Sequence, residues 1–128
     1  MNIIYIHGFQ SSPNSIKAQQ LQHYCAQEDR WTVHVPDLNL PPAQALQLLH
    51  DLVSQHEDVV LLGSSLGGFY ATQLVATHAL PAVLINPAMR PWQLFRDLFG
   101  QQQLPYAVNA TWTLDEPQLD YLEQIAVS

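Results

Sequence analysis

Val59-Val60-Leu61-Leu62 is an unbroken apolar run that passes directly into Gly63-Ser64-Ser65-Leu66-Gly67-Gly68. Four consecutive apolar residues leave no polar face, so a strand built from them needs cover on both sides. A helix beginning at Leu66 starts badly, because each glycine costs roughly 1 kcal/mol relative to alanine. The glycines therefore answer a tertiary demand at the turn. A covered strand that leads at once into a helix belongs in a parallel α/β sheet.

The rest of the chain alternates in the same way. Ile3 to Ile6 reads as a strand, followed by the turn-rich His7-Gly8-Phe9-Gln10-Ser11-Ser12-Pro13-Asn14. Ser15 caps an expected helix to about Glu28, with Ile16, Gln20, Leu21, Tyr24 and Cys25 on one face. Trp31–Val35 is a second strand, closed by Pro36. Pro41-Pro42 opens a helix to about His56, striped by Leu46, Leu49, Leu52 and Val53. Asp58–Leu62 is the third strand and Leu66–His78 a helix. Pro81–Ile85 is a fourth strand, and Pro91–Phe99 a shorter helix. Residues 101–108 read as irregular. Thr113-Leu114-Asp115-Glu116 has capping-box form ahead of a last helix to about Gln124. The expected architecture is a single three-layer α/β/α domain over residues 1–128 with a mostly parallel sheet. In such sheets ligands bind beyond the carboxyl ends of the strands.

Composition narrows the function. Eleven acidic against four basic residues give a formal charge of −7. The bases, Lys17, Arg30, Arg90 and Arg96, are scattered, which argues against nucleic acid or an anionic membrane as partner. A lone Cys25 makes no internal disulfide and reads as a small core residue. The first residues lack a basic leader, and no apolar run nears the roughly 20 residues of a membrane span, so a cytoplasmic location is expected.

Gly63-x-Ser65-x-Gly67 between strand and helix is the pattern that exposes a serine on a sharp turn. The helix dipole and free N–H groups then lie beneath a developing oxyanion. A Walker loop is excluded because no lysine follows the glycines, and a dinucleotide fingerprint because the spacing fails. His7-Gly8-Phe9, at the end of the first strand, is placed to give a second oxyanion donor through Phe9 N–H, with Leu66 N–H as the first. His7 itself suits a structural hydrogen bond better than a general base. His34 reads as a satisfied, partly buried strand histidine. His23, His50, His56 and His78 read as solvated, and no histidine spacing suggests a metal site or cofactor.

Three segments carry a resemblance. Tyr5-Ile6-His7-Gly8-Phe9-Gln10-Ser11-Ser12-Pro13, the stretch Gly63–Thr72, and Asn86-Pro87-Ala88-Met89-Arg90-Pro91 resemble the small bacterial YqiA-type esterases of the α/β-hydrolase superfamily. The resemblance implies an intracellular serine esterase for short acyl esters, with Ser65 as nucleophile and Phe9 and Leu66 as oxyanion donors. It also implies an acid and then a histidine, in that order, after the serine. No histidine follows His78, and Asp97, Asp115, Glu116, Asp120 and Glu123 read as surface positions. Asn86 ends the fourth strand as an amide, and Asp37 reads as a loop residue. The expectation is therefore a truncated α/β-hydrolase fold lacking its C-terminal strands, nearly inactive alone. Its fourth strand is expected to form an exposed edge that pairs with another copy through Ala82–Ile85. Arg90, just past that strand, is a candidate contact for an anionic part of a substrate, against a plain helix-start role. A non-catalytic binding domain and a thioesterase or acyltransferase are the competing functions.

Overall fold

The computed structural model describes residues 1–9, 11–26, 31–108 and 112–126. Four strands, β1 (Asn2–Ile6), β2 (Thr32–His34), β3 (Val59–Ser64) and β4 (Ala82–Ile85), form one wholly parallel sheet in the order β2-β1-β3-β4. The helices are α1 (Ile16–Cys25), α2 (Pro42–Ser54), α3 (Leu66–His78), α4 (Pro91–Gln103) and α5 (Glu116–Ile125). The chain moves one way across the sheet from β1 to β2 and the other way from β2 to β3 and β4. Right-handed crossovers then put α1 on one face and α2 and α3 on the other. The three layers expected from the sequence are present.

The two faces differ in cover. Ile4, Ile6 and Leu61 are fully buried, packed with Leu49, Phe69 and Leu74 from α2 and α3. The opposite face carries Ile3, Val60 and Leu62, which are only half-buried, with Tyr5 buried among them. The unbroken apolar run of β3 thus serves one deep face and one shallow one. α1 buries Cys25 as expected, but Ala18 joins it while Ile16 and Tyr24, expected on the same face, are exposed. Small side chains sit under this helix, so it lies close to the sheet and turns its larger ones outward. Its expected extension to about residue 28 lies outside the described residues.

Two further differences concern the end of the chain. α4 runs on to Gln103, and Tyr106–Ala107 (β5) pairs antiparallel with Thr113–Leu114 (β6), a two-residue ladder that no alternating pattern announces. The last helix is capped by Asp115, whose carboxylate accepts from Gln118 N–H at 3.1 Å. Thr113 belongs to β6 instead of serving as the cap. Arg96 fastens α4 to α5, donating to Glu116 at 3.2 Å and Asp120 at 2.7 Å, with Glu123 at 3.5 Å. No helix among the described residues is long and apolar enough to cross a membrane.

α3 ends on Ala79 in the left-handed region, at φ 55° and ψ 49°. That position favours glycine, which has no Cβ to strain. Ala79→Gly is expected to stabilise the fold by about 0.5–1 kcal/mol, read as a higher urea midpoint with unchanged slope.

Histidine pairs tie the elements together and make the fold acid-sensitive. His34 Nε2 donates to Asn2 Oδ1 at 3.0 Å, and its ring lies against that of His56 with centroids 4.2 Å apart. Burial first, and then the neighbouring His56, holds His34 below its ordinary pKa. Burial and then His78 do the same to His50, against an opposing pull from Asp51. The unfolded chain therefore takes up protons more readily than the folded one. Stability is full above about pH 6.5 and falls as pH drops below that value. Urea midpoints measured between pH 7.5 and 5.5 should decline, and His34→Gln or His50→Gln should flatten the slope.

Candidate active site

The order β2-β1-β3-β4 reverses direction between β1 and β3. In open parallel sheets the ligand crevice opens at that switch, beyond the carboxyl ends. Both chemically unusual segments fall there: His7-Gly8-Phe9 leaves β1, and Ser65 leaves β3.

Ser65 has φ 58° and ψ −120°, outside the regions an L-residue occupies without strain. Its N–H donates to Ile85 O at 3.1 Å, and its carbonyl accepts from Gly68 N at 3.0 Å and Ala88 N at 2.9 Å. The turn is thereby clamped between β3, α3 and the segment after β4. Ser65 stands at the N-cap position of α3, yet its hydroxyl makes no capping bond. The Leu66 N–H, first in the helix, has no helical acceptor by construction.

The glycines are demanded by contact. A Cβ on Gly67 would overlap the Ile6 carbonyl, lying 2.6 Å from its carbon. β1 and the start of α3 touch backbone to backbone at this point. A Cβ on Gly8 would sit 3.0 Å from Ser65 Cβ and 3.6 Å from Ser65 Oγ, so the loop after β1 passes directly beside the serine.

His7 fixes that loop. It is buried, and its Nε2 accepts from Leu38 N–H at 2.8 Å. Its Nδ1 therefore carries the hydrogen and donates to Gly8 O at 2.9 Å. With both nitrogens engaged, the ring has no lone pair free to act as a base. The exposed Asp37 carboxylate lies 3.8 Å from Nε2, beyond hydrogen-bonding distance.

Phe9 is half-buried, its ring 4.7 Å from Phe95, 6.2 Å from Phe99 and 6.4 Å from Trp112 by centroids. This aromatic wall of α4 and the segment entering β6 backs the loop after β1, and the sequence reading missed it. Its one signal is the density of aromatic residues between Trp92 and Trp112. Arg90 is exposed at the start of α4, its carbonyl accepting from Gln93 and Leu94 N–H at 3.1 Å each. Its guanidinium lies over Trp92, 6.0 Å from the ring centroid. Ser65 and Leu66 open α3, and Gly8, the neighbour of Phe9, lies beside Ser65. Asp97, Asp115, Glu116, Asp120 and Glu123 lie on α4 and α5 or at their ends, and Arg96 engages three of them.

A strained serine between a parallel strand and a helix, at the switch point of an α/β sheet, defines the α/β-hydrolase class of fold. The solved structure of alpha/beta hydrolase domain-containing protein 10 from mouse has that fold and superposes with a TM-score of 0.64 at 18% identity. The match covers 98% of this chain and 62% of the mouse chain, so this chain spans less than two thirds of that structure. A family model described as an uncharacterised protein family, UPF0227, matches residues 2–128. The chain belongs to that family.

Proposed function

We propose that this is a cytoplasmic serine esterase acting on short acyl esters, with Ser65 as nucleophile. Support comes chiefly from the strained backbone of Ser65, with its hydroxyl free of any capping bond. In this reading the Ser65 oxygen attacks the ester carbonyl while its proton passes to a base. The oxyanion is held by Leu66 and Phe9 N–H, and the alcohol leaves with the proton. Water then releases the acid from acyl-Ser65. Serine needs a base for the first step. No histidine bonds to Ser65 among the described residues, and this reading requires an acid and a base brought beside it. Oxyanion donors alone leave roughly 10³–10⁴-fold acceleration over water.

The test uses the longest polypeptide that the reading frame encodes. Fluorophosphonate should label it once, and Ser65→Ala should remove the label. Labelling that survives the substitution overturns the nucleophile. An unlabelled but folded protein favours the non-catalytic binding domain. Turnover of thioesters above oxygen esters favours the thioesterase or acyltransferase.

The edge of β4 supports a proposal about assembly. β4 pairs with β3 alone among the described residues, and Val83 and Leu84 are 54% and 38% exposed. Unpaired edges recruit strands. We propose that Ala82–Ile85 pairs with a second copy of the chain. Sedimentation should give a dimer that Val83→Lys converts to monomer, and a monomeric parent chain would refute it. Arg90 is proposed to hold an anionic part of the substrate: Arg90→Met should cost turnover of acidic esters alone.

A further inference from the structure

His50 and His78 are 28 positions apart in sequence and meet side by side between α2 and α3. His50 Nδ1 and His78 Nε2 are 2.9 Å apart, with ring centroids separated by 5.1 Å and planes inclined at 46°. Both rings are half-buried, so their backbones are fixed by packed helices while water still reaches the ring edges. We propose that this pair is a two-nitrogen binding site for a divalent transition-metal ion that prefers tetragonal geometry, of the Cu²⁺ or Ni²⁺ class.

The separation, now that of an N–H···N hydrogen bond, is short enough for one ion to bridge both nitrogens. Imidazole nitrogens lie about 2.05 Å from such metals, and a right angle at the metal puts the two nitrogens about 2.9 Å apart. A tetrahedral angle would need about 3.3 Å. The observed spacing matches the right angle with no movement of the helices. The rings only have to swing so that both lone pairs meet at a common point.

The surroundings favour a cation. His78 is the last residue of α3, and His50 lies one turn from the end of α2. The negative ends of both helix dipoles thus face the pair. The chain as a whole carries −7. Among the described residues there is no cluster of three or more His, Cys, Asp or Glu able to hold a metal, so water fills the remaining positions. The exchange balances. In the neutral pair one facing nitrogen bears a hydrogen and the other accepts it. On binding, the donor ring moves that hydrogen to its outer nitrogen through solvent, and both facing lone pairs go to the metal with no net proton released.

Isothermal titration of the tag-free chain with NiCl₂ and with CuCl₂ in a non-coordinating buffer tests the site. One equivalent should bind, Cu²⁺ more tightly than Ni²⁺. His50→Gln and His78→Gln should each weaken binding at least tenfold, and His34→Gln with His56→Gln should not. Absence of binding, or retention of affinity in both single variants, overturns the site. Proton NMR of the unaltered chain gives an answer that does not depend on variant folding. Substoichiometric Ni²⁺ should broaden the ring resonances of His50 and His78 first, and broadening that begins at His23, His34 or His56 overturns the proposal. None of these readouts depends on Ser65 chemistry.

Discussion

Glycine in place of Ser65 is expected to abolish fluorophosphonate capture and at the same time to make the protein harder to unfold. The two effects have separate causes. Capture is lost because the attacking oxygen is gone, and turnover should fall at least 10³-fold wherever the parent polypeptide is active. Stability rises because φ 58° with ψ −120° is strained for serine and ordinary for glycine. Relief of one such residue is worth about 1–3 kcal/mol. Ser65→Ala separates them: it loses capture and keeps the strain, so its urea midpoint should stay near that of the parent. Equal stability of the Gly and Ala variants would show that Ser65 stores no strain, and the case for a specialised serine would weaken with it.

Gly67→Ala should be the most damaging single substitution. Its Cβ would fall on the Ile6 carbonyl, a backbone group in the central strand that cannot rotate away. The cost should be about 4 kcal/mol or more, a large part of the roughly 5–15 kcal/mol that holds a domain of this kind. The check is a urea or thermal midpoint well below that of the parent, accompanied by loss of near-ultraviolet ellipticity. Gly8→Ala is the informative contrast. There the new methyl meets Ser65 Cβ at 3.0 Å, a contact that small shifts relieve. The fold should survive while the approach to Ser65 Oγ is narrowed.

Much of this was legible before any coordinates. Val59–Leu62 running into Gly63–Gly68 was enough to place a strand, a turn and a helix, because local pattern and tertiary demand agree there. The alternation of elements gave a parallel sheet, and the right-handed crossover rule then placed the helices. What stayed hidden depended on distance in space. The short β5–β6 ladder has two residues per strand, too few for a period to register. Ile16 and Tyr24 looked like core residues on spacing alone, yet only the smaller Ala18 and Cys25 fit beneath α1. His50 and His78 looked solvated, since nothing local joins position 50 to position 78. The aromatic backing of Phe9 arises where α4 and the segment before β6 fold over the end of β1, and no motif encodes that meeting.

The contacts that hold Ser65 have one more property. They come from Ile6 and Gly8, from the serine's own turn, and from Ile85 and Ala88. Every one of these residues is numbered 88 or lower. The reactive turn is therefore portable. A chain that keeps the four-stranded sheet and the segment just after β4 keeps the backbone clamp on its serine, and α5 can vary without touching it. Divergence among such proteins is free to rewrite the C-terminal helix while leaving the serine where it was.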